Sequence, residues 1–113
     1  MVIDMKSLNR EILLSLWKVH ILHHASERPV VGQWMLQELW RHGYEVSPGT
    51  LYPLLRRLER NGWLRAEPAG DGPKARREYH LTGLGRKVLA LVRRQIDELR
   101  REIVPQSAKK GLR

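Results

Sequence analysis

The run Ser47-Pro48-Gly49-Thr50, followed by Leu51, Leu54, Leu55 and Leu58, constrains this chain more than any other stretch. Serine at a helix N-cap accepts a hydrogen bond from one of the first free backbone N–H groups, and proline at the first helical position lacks an N–H that would go unpaired there. Leucines at i, i+3, i+4 and i+7 then fall on one side of an α-helix. The pattern predicts a helix from Ser47 to Arg60, closed by Asn61-Gly62, whose leucine face the rest of the fold must cover.

The other side of that helix is basic. Gly49, Pro53, Arg56 and Arg60 lie outward, and Thr50, Tyr52 and Arg57 take the flanks. A guanidinium can bind guanine O6 and N7 together or clamp a phosphate. Small residues at Ser47, Gly49 and Thr50 let the helix N-terminus approach a sugar-phosphate chain. Pro53 cannot donate to the Gly49 carbonyl, which costs about 3 kcal/mol in an ordinary helix interior. Its exposed ring would offer a rigid apolar contact, for example to a thymine methyl. Arginines on one helix face also suit plain solvation, so the neighbouring elements have to decide.

Those neighbours build a helical domain. Leu8, Ile12, Leu16 and Val19, widened by Leu13 and Trp17, predict a first helix from Leu8 to His24. Pro29 interrupts it, and a second helix is expected from Val31 to His42, with Met35, Leu36, Leu39 and Trp40 inward and Gly43 as its cap. Two short alternating segments, Trp63–Glu67 and Arg77–Leu81, flank a Pro- and Gly-rich stretch and predict a β-hairpin with a long polar tip. Thr82 caps a last helix from Gly83 to Val104, with Leu84, Val88, Leu91, Val92, Ile96, Leu99 and Ile103 on one side. The residues after it, 105–113, are expected to form a basic, disordered tail.

Three helices and then a hairpin is the order of a winged helix-turn-helix, whose third helix enters the major groove of DNA. The expected fold class is therefore mainly α with a small β-hairpin. A winged helix-turn-helix domain would cover 1–81, with the first helix also in dimer contact, and a long dimerisation helix 82–104. The predicted DNA contacts are Ser47, Gly49, Thr50, Tyr52, Pro53, Arg56, Arg57 and Arg60, joined from the wing by Lys74, Arg76 and Arg77.

Charge supports a polyanionic partner. The 113 residues carry a formal charge of +9, yet positions 1–46 hold five basic and five acidic side chains, so all of the excess lies beyond them. Without cysteine there is no disulfide, thiolate nucleophile or Cys-based zinc site, and no apolar stretch reaches the roughly 18 residues of a membrane span. A cytoplasmic protein without signal peptide, membrane association or cofactor is expected. No nucleophile motif or Gly-rich phosphate loop assembles, so no enzyme is expected either.

The stretch Val46-Ser47-Pro48-Gly49-Thr50-Leu51-Tyr52-Pro53-Leu54-Leu55-Arg56-Arg57-Leu58-Glu59 resembles the recognition-helix signature of PadR-like transcriptional regulators. The likeness continues through Asn61-Gly62-Trp63-Leu64 and Arg77-Glu78-Tyr79-His80-Leu81-Thr82-Gly83-Leu84-Gly85-Arg86, and covers roughly residues 30–104. The resemblance implies a homodimeric, repressor-type protein whose last helix packs on the partner's N-terminal helix, with Tyr52 and its neighbours facing double-stranded DNA. This chain departs from the family's His-Gly-Tyr-like entry to the second helix, reading Val31-Gly32-Gln33-Trp34. That region lies near effector surfaces in some relatives, which makes Trp17 and Trp34 candidates for a small-molecule effector pocket.

The last helix, about 31 Å long at 1.5 Å per residue, is longer than the flank of so small a domain. Val92, Ile96, Leu99 and Ile103 are expected in a symmetric interface with Leu8, Ile12 and Leu16 of a second copy. His20, His23 and His24 have a spacing compatible with metal ligands, but read as helix-surface or interface groups lacking a thiol or acidic companion. No metal is expected, and at most a pH influence on dimerisation. The competing function is a winged helix that binds another protein through its third helix or wing. A basic RNA-binding domain is the third possibility, weakened because Trp17, Trp40 and Trp63 fall at packing positions rather than on a stacking platform.

Overall fold

A computed structural model of the chain describes residues 2–72 and 76–105. Asp4 opens the fold by capping α1 (Met5–Leu8), its carboxylate accepting from the Lys6 N–H at 3.1 Å and the Ser7 hydroxyl at 2.9 Å. A π-helical stretch, Asn9–Leu13, leads into α2 (Leu14–Glu27), so the first helical rod extends beyond both ends of the expected span. Arg28 then turns extended, as the residue before a proline must.

The next two residues differ from expectation. Val30–Val31 form a strand, β1, and α3 (Gly32–Arg41) starts just after it. With β2 (Leu64–Pro68) and β3 (Arg77–Leu81) this gives a three-stranded antiparallel sheet in the order β1-β3-β2, not an isolated hairpin. Val30 pairs with Tyr79 and Val31 with Glu78, while Leu64 to Pro68 run against Leu81 to Arg77. Two residues are too few to show alternation, and the strand exists because β3 offers a free edge.

Helix α4 (Pro48–Arg60) begins and ends where its sequence signals place it. The Ser47 hydroxyl oxygen accepts from the Thr50 N–H at 3.2 Å, and Gly62 follows the helix at φ +80°, a left-handed conformation that glycine adopts without strain. The last helix, α5 (Gly83–Ile103), is fixed to the sheet at its start. Thr82 accepts from the Gly85 N–H at 2.9 Å and donates to the Gly62 carbonyl at 2.6 Å, and a Cβ on Gly85 would collide with the Trp63 carbonyl.

Trp17, Ile21 and Leu22 of α2, Met35 and Leu39 of α3, the four leucines of α4, Leu64, Tyr79 and Leu89 form one buried cluster. Leu89 is absent from the expected stripe, whereas Leu84 and Leu91, expected inward, are half exposed. The apolar side of α5 is wide enough to hold two lines of contact, and close packing at Gly85 selects the line through Leu89. Trp40 is likewise half exposed, but its indole N–H donates to the Val46 carbonyl at 2.7 Å and so ties α3 to the chain entering α4.

Candidate nucleic-acid interface

On α4 the two faces separate cleanly. Leu51, Leu54, Leu55 and Leu58 are buried, while Ser47, Gly49, Pro53, Arg56, Arg57 and Arg60 are exposed and Thr50 and Tyr52 half-buried. Among the described residues Arg56, Arg57 and Arg60 form no ion pair, so their guanidinium groups stay free for a ligand. The helix runs unbroken through Pro53.

Tyr52 owes its place to Gly32. Its ring lies over the first residue of α3, where any Cβ would strike the ring edge. Gly32 is the residue of the His-Gly-Tyr-like entry that this chain keeps, and the absence of a side chain there lets the tyrosine settle between α3 and α4, a contact the sequence did not disclose. Beside the ring is a cavity of about 170 Å³ bounded by Gln33, Tyr52, Arg56, Arg76, Arg77 and Tyr79. The sequence reading missed Gln33, an exposed amide at the edge of this basic recess.

The wing residues divide. Arg76 is exposed and borders the recess. Arg77 is occupied, donating to both carboxylate oxygens of Glu59 at 3.0 and 3.1 Å and lying 5.9 Å from the centre of the Tyr79 ring. This ion pair links the base of the wing to the end of α4 and leaves the Arg77 side chain exposed. Lys74 lies outside the described residues.

The residues expected at a subunit interface differ in exposure. Ile12, Leu16, Ile96, Leu99 and Ile103 are exposed on the N-terminal rod and on α5, whereas Leu8 and Val92 are half-buried. The two candidate effector residues are not brought together. Trp17 is 1% exposed and stands edge-on to Tyr44, while Trp34 stands edge-on to His24 with the Arg28 guanidinium 5.3 Å from its ring centre.

The expectation that the α2 histidines lack an acidic companion is corrected: Glu27 lies one helical turn further along α2, and Glu38 comes from α3. Glu27 lies 3.8 Å from His23 and 3.5 Å from His24, and Glu38 Oε2 lies 3.3 Å from both His24 and His42. Arg41, hydrogen-bonded to Glu38 at 2.9 and 2.8 Å, is the main cause that holds the Glu38 carboxyl at about 2. Burial lowers the imidazoles of His20 and His24, with neighbouring histidines adding to the effect and Glu38 opposing it.

Three helices, a β1-β3-β2 sheet and an outward basic helix beside a wing define a winged helix-turn-helix protein of the DNA-binding regulator class. Residues 21–91 match the model of the Transcriptional regulator PadR-like family. The chain is 50% identical over 95 residues, 84% of its length and 89% of the relative's, to Transcriptional regulator Rv3488 of Mycobacterium tuberculosis. Similar solved structures include a PadR-like transcriptional regulator from Bacillus cereus, with TM-score 0.73 and 26% identity over 82% of this chain and 92% of that one. A PadR family transcriptional regulator from Eggerthella lenta has TM-score 0.69 and 30% identity over 88% of this chain and 91% of that one. The chain belongs to the PadR-like family of transcriptional regulators. Transcriptional regulation through DNA binding, rather than a class of catalysis, is what that membership carries. Among the described residues no helix is long and apolar enough to cross a membrane.

Proposed function

We propose that the chain acts as a homodimeric repressor in the cytoplasm, reading a roughly palindromic operator with the outward face of α4. The observation that carries this is the division of α4: a sealed leucine face and, opposite it, Arg56, Arg57 and Arg60 without ion pairs among the described residues. Arg56 and Tyr52 are assigned to base edges. Ser47, Gly49, Thr50, Arg57 and Arg60 are assigned to the sugar-phosphate chain, Pro53 to an apolar base contact, and Arg76 with Lys74 to phosphates beside the groove.

Dimerisation is supported by the exposed apolar residues of both long helical elements. Ile12 and Leu16 on one and Ile96, Leu99 and Ile103 on the other would be costly to leave in water, and a second copy related by a two-fold axis would cover them. A symmetric pair would place two copies of α4 about one helical turn of DNA apart. Repression follows as the simplest consequence, because covering a promoter needs no additional partner surface.

Selection from a pool of random duplexes at physiological salt tests the proposal. It should enrich a sequence of approximate two-fold symmetry, bound with an affinity that falls steeply as salt rises. Recovery of no enriched sequence would contradict it and favour the winged-helix protein-interaction module.

A further inference from the structure

Four of the five histidines of this chain gather where the C-terminal half of α2 meets the end of α3. His20 and His24 are one turn apart on α2, and His42 enters from the residue that closes α3. We propose that His20, His24 and His42 form a binding site for a divalent late first-row transition metal of the zinc class, with Glu38 as its carboxylate partner.

The geometry carries this. One ligand atom from each of the three imidazoles lies within 4.8 Å of the other two. The nitrogens of a tetrahedral zinc site, bound at about 2.0–2.1 Å, are about 3.4 Å apart, so modest ring rotations close the gap. The rings already converge: the centroid of His20 is 5.2 Å from that of His42 and 6.4 Å from that of His24.

The chemistry agrees with the geometry. Three imidazoles suit zinc, copper, nickel or iron rather than magnesium or calcium. Metal-bound histidines commonly give their other ring N–H to a carboxylate, and Glu38 touches two of these rings while its own charge is fixed by Arg41. His42 is the most exposed of the three, which leaves a path for an ion to enter.

A sequence search along one helix could not find this set. It sees His20, His23 and His24, whereas the structure replaces His23 with His42 from another element. His23 belongs instead with His24 and Glu27 in an overlapping group, and its Nδ1 lies 3.0 Å from Arg93. The proposal does not depend on DNA binding. It would make the turn between α3 and α4 a cross-linked segment, since His42 directly precedes Gly43 (φ +89°) in that turn.

The test is a titration of the untagged full chain with Zn²⁺, and with Co²⁺ followed by visible absorption, at pH 7.5. One ion per chain is expected, with Co²⁺ bands of a nitrogen-ligated site of low coordination number and a rise in melting temperature with added Zn²⁺. His42→Gln should weaken binding more than about 100-fold, and Glu38→Gln by about 10- to 100-fold, the range for an outer partner. His23→Gln should leave affinity within about threefold. Absence of stoichiometric binding would overturn the proposal. So would an equal loss in His23→Gln and His42→Gln, or wild-type affinity in a folded His42→Gln protein.

Discussion

The stripe of α4 is sealed, with none of Leu51, Leu54, Leu55 and Leu58 exposing more than 6% of its surface, whereas the stripe of α5 is largely open. Leu89 alone among the large residues of α5 is buried, and Leu91, Leu99 and Ile103 expose 51, 54 and 65%. Both helices carry apolar residues at steps of three and four, so periodicity does not separate them. Topology does. Helix α4 lies between α3 and β2, while α5 is anchored at Thr82 and Gly85 and runs past the sheet along α2. The sealed stripe fixes which face of α4 points outward, the face proposed to read DNA, and the open one is the surface proposed to meet a second copy.

The largest effect should come from charging the open stripe. Ile96→Glu combined with Leu99→Glu should convert the protein to a folded monomer, read by sedimentation; an unchanged mass would separate α5 from dimerisation. Next comes the sealed stripe, where Leu55→Ala should cost about 2–5 kcal/mol in urea unfolding because it leaves a cavity among close-packed leucines. A loss well below that would mean the α4 core can collapse and the two helices differ less than their burial suggests. Ser47→Ala removes the oxygen that accepts from the Thr50 N–H and should cost about 1 kcal/mol, with little change in oligomeric state.

The smallest effect is on pH. The unfolded chain takes up protons at His20 and His24 near 6.5, at higher pH than the folded chain does, so stability should fall as pH drops below that value. Glu38, at about 2 when folded against 4.5 ordinarily, adds a further loss as pH falls from about 4.5 towards 2. His20→Gln with His24→Gln should flatten the first decline and Glu38→Gln the second, measured by thermal melts across pH. Neither should alter the packing of α4.

Local signals made much of the fold legible. Ser47-Pro48 and Asn61-Gly62 mark both ends of α4, Thr82 marks the start of α5, and the leucine spacing identifies a face that is in fact buried. What escaped depends on contacts between distant residues. Strand β1 is two residues long and exists through pairing with β3; Leu89 is selected over its neighbours by the contact at Gly85; Arg77 is drawn to Glu59 across 18 positions. The site was legible to the same extent. Periodicity placed the exposed arginines of α4, but not the seating of Tyr52 on Gly32 or the meeting of His42 with α2.

Because the Tyr52 ring is packed on Gly32, the most direct test of α4 as the reading surface keeps that ring and removes its hydroxyl. The ratio of operator to random-duplex affinity should be measured for Arg56→Ala combined with Tyr52→Phe at physiological salt. The ratio should fall by about 10- to 100-fold or more, each lost base contact being worth about 1–3 kcal/mol, while the melting temperature and dimer mass stay as in the wild type. An unchanged ratio in a folded dimer would contradict the assignment of specificity to the outward face of α4.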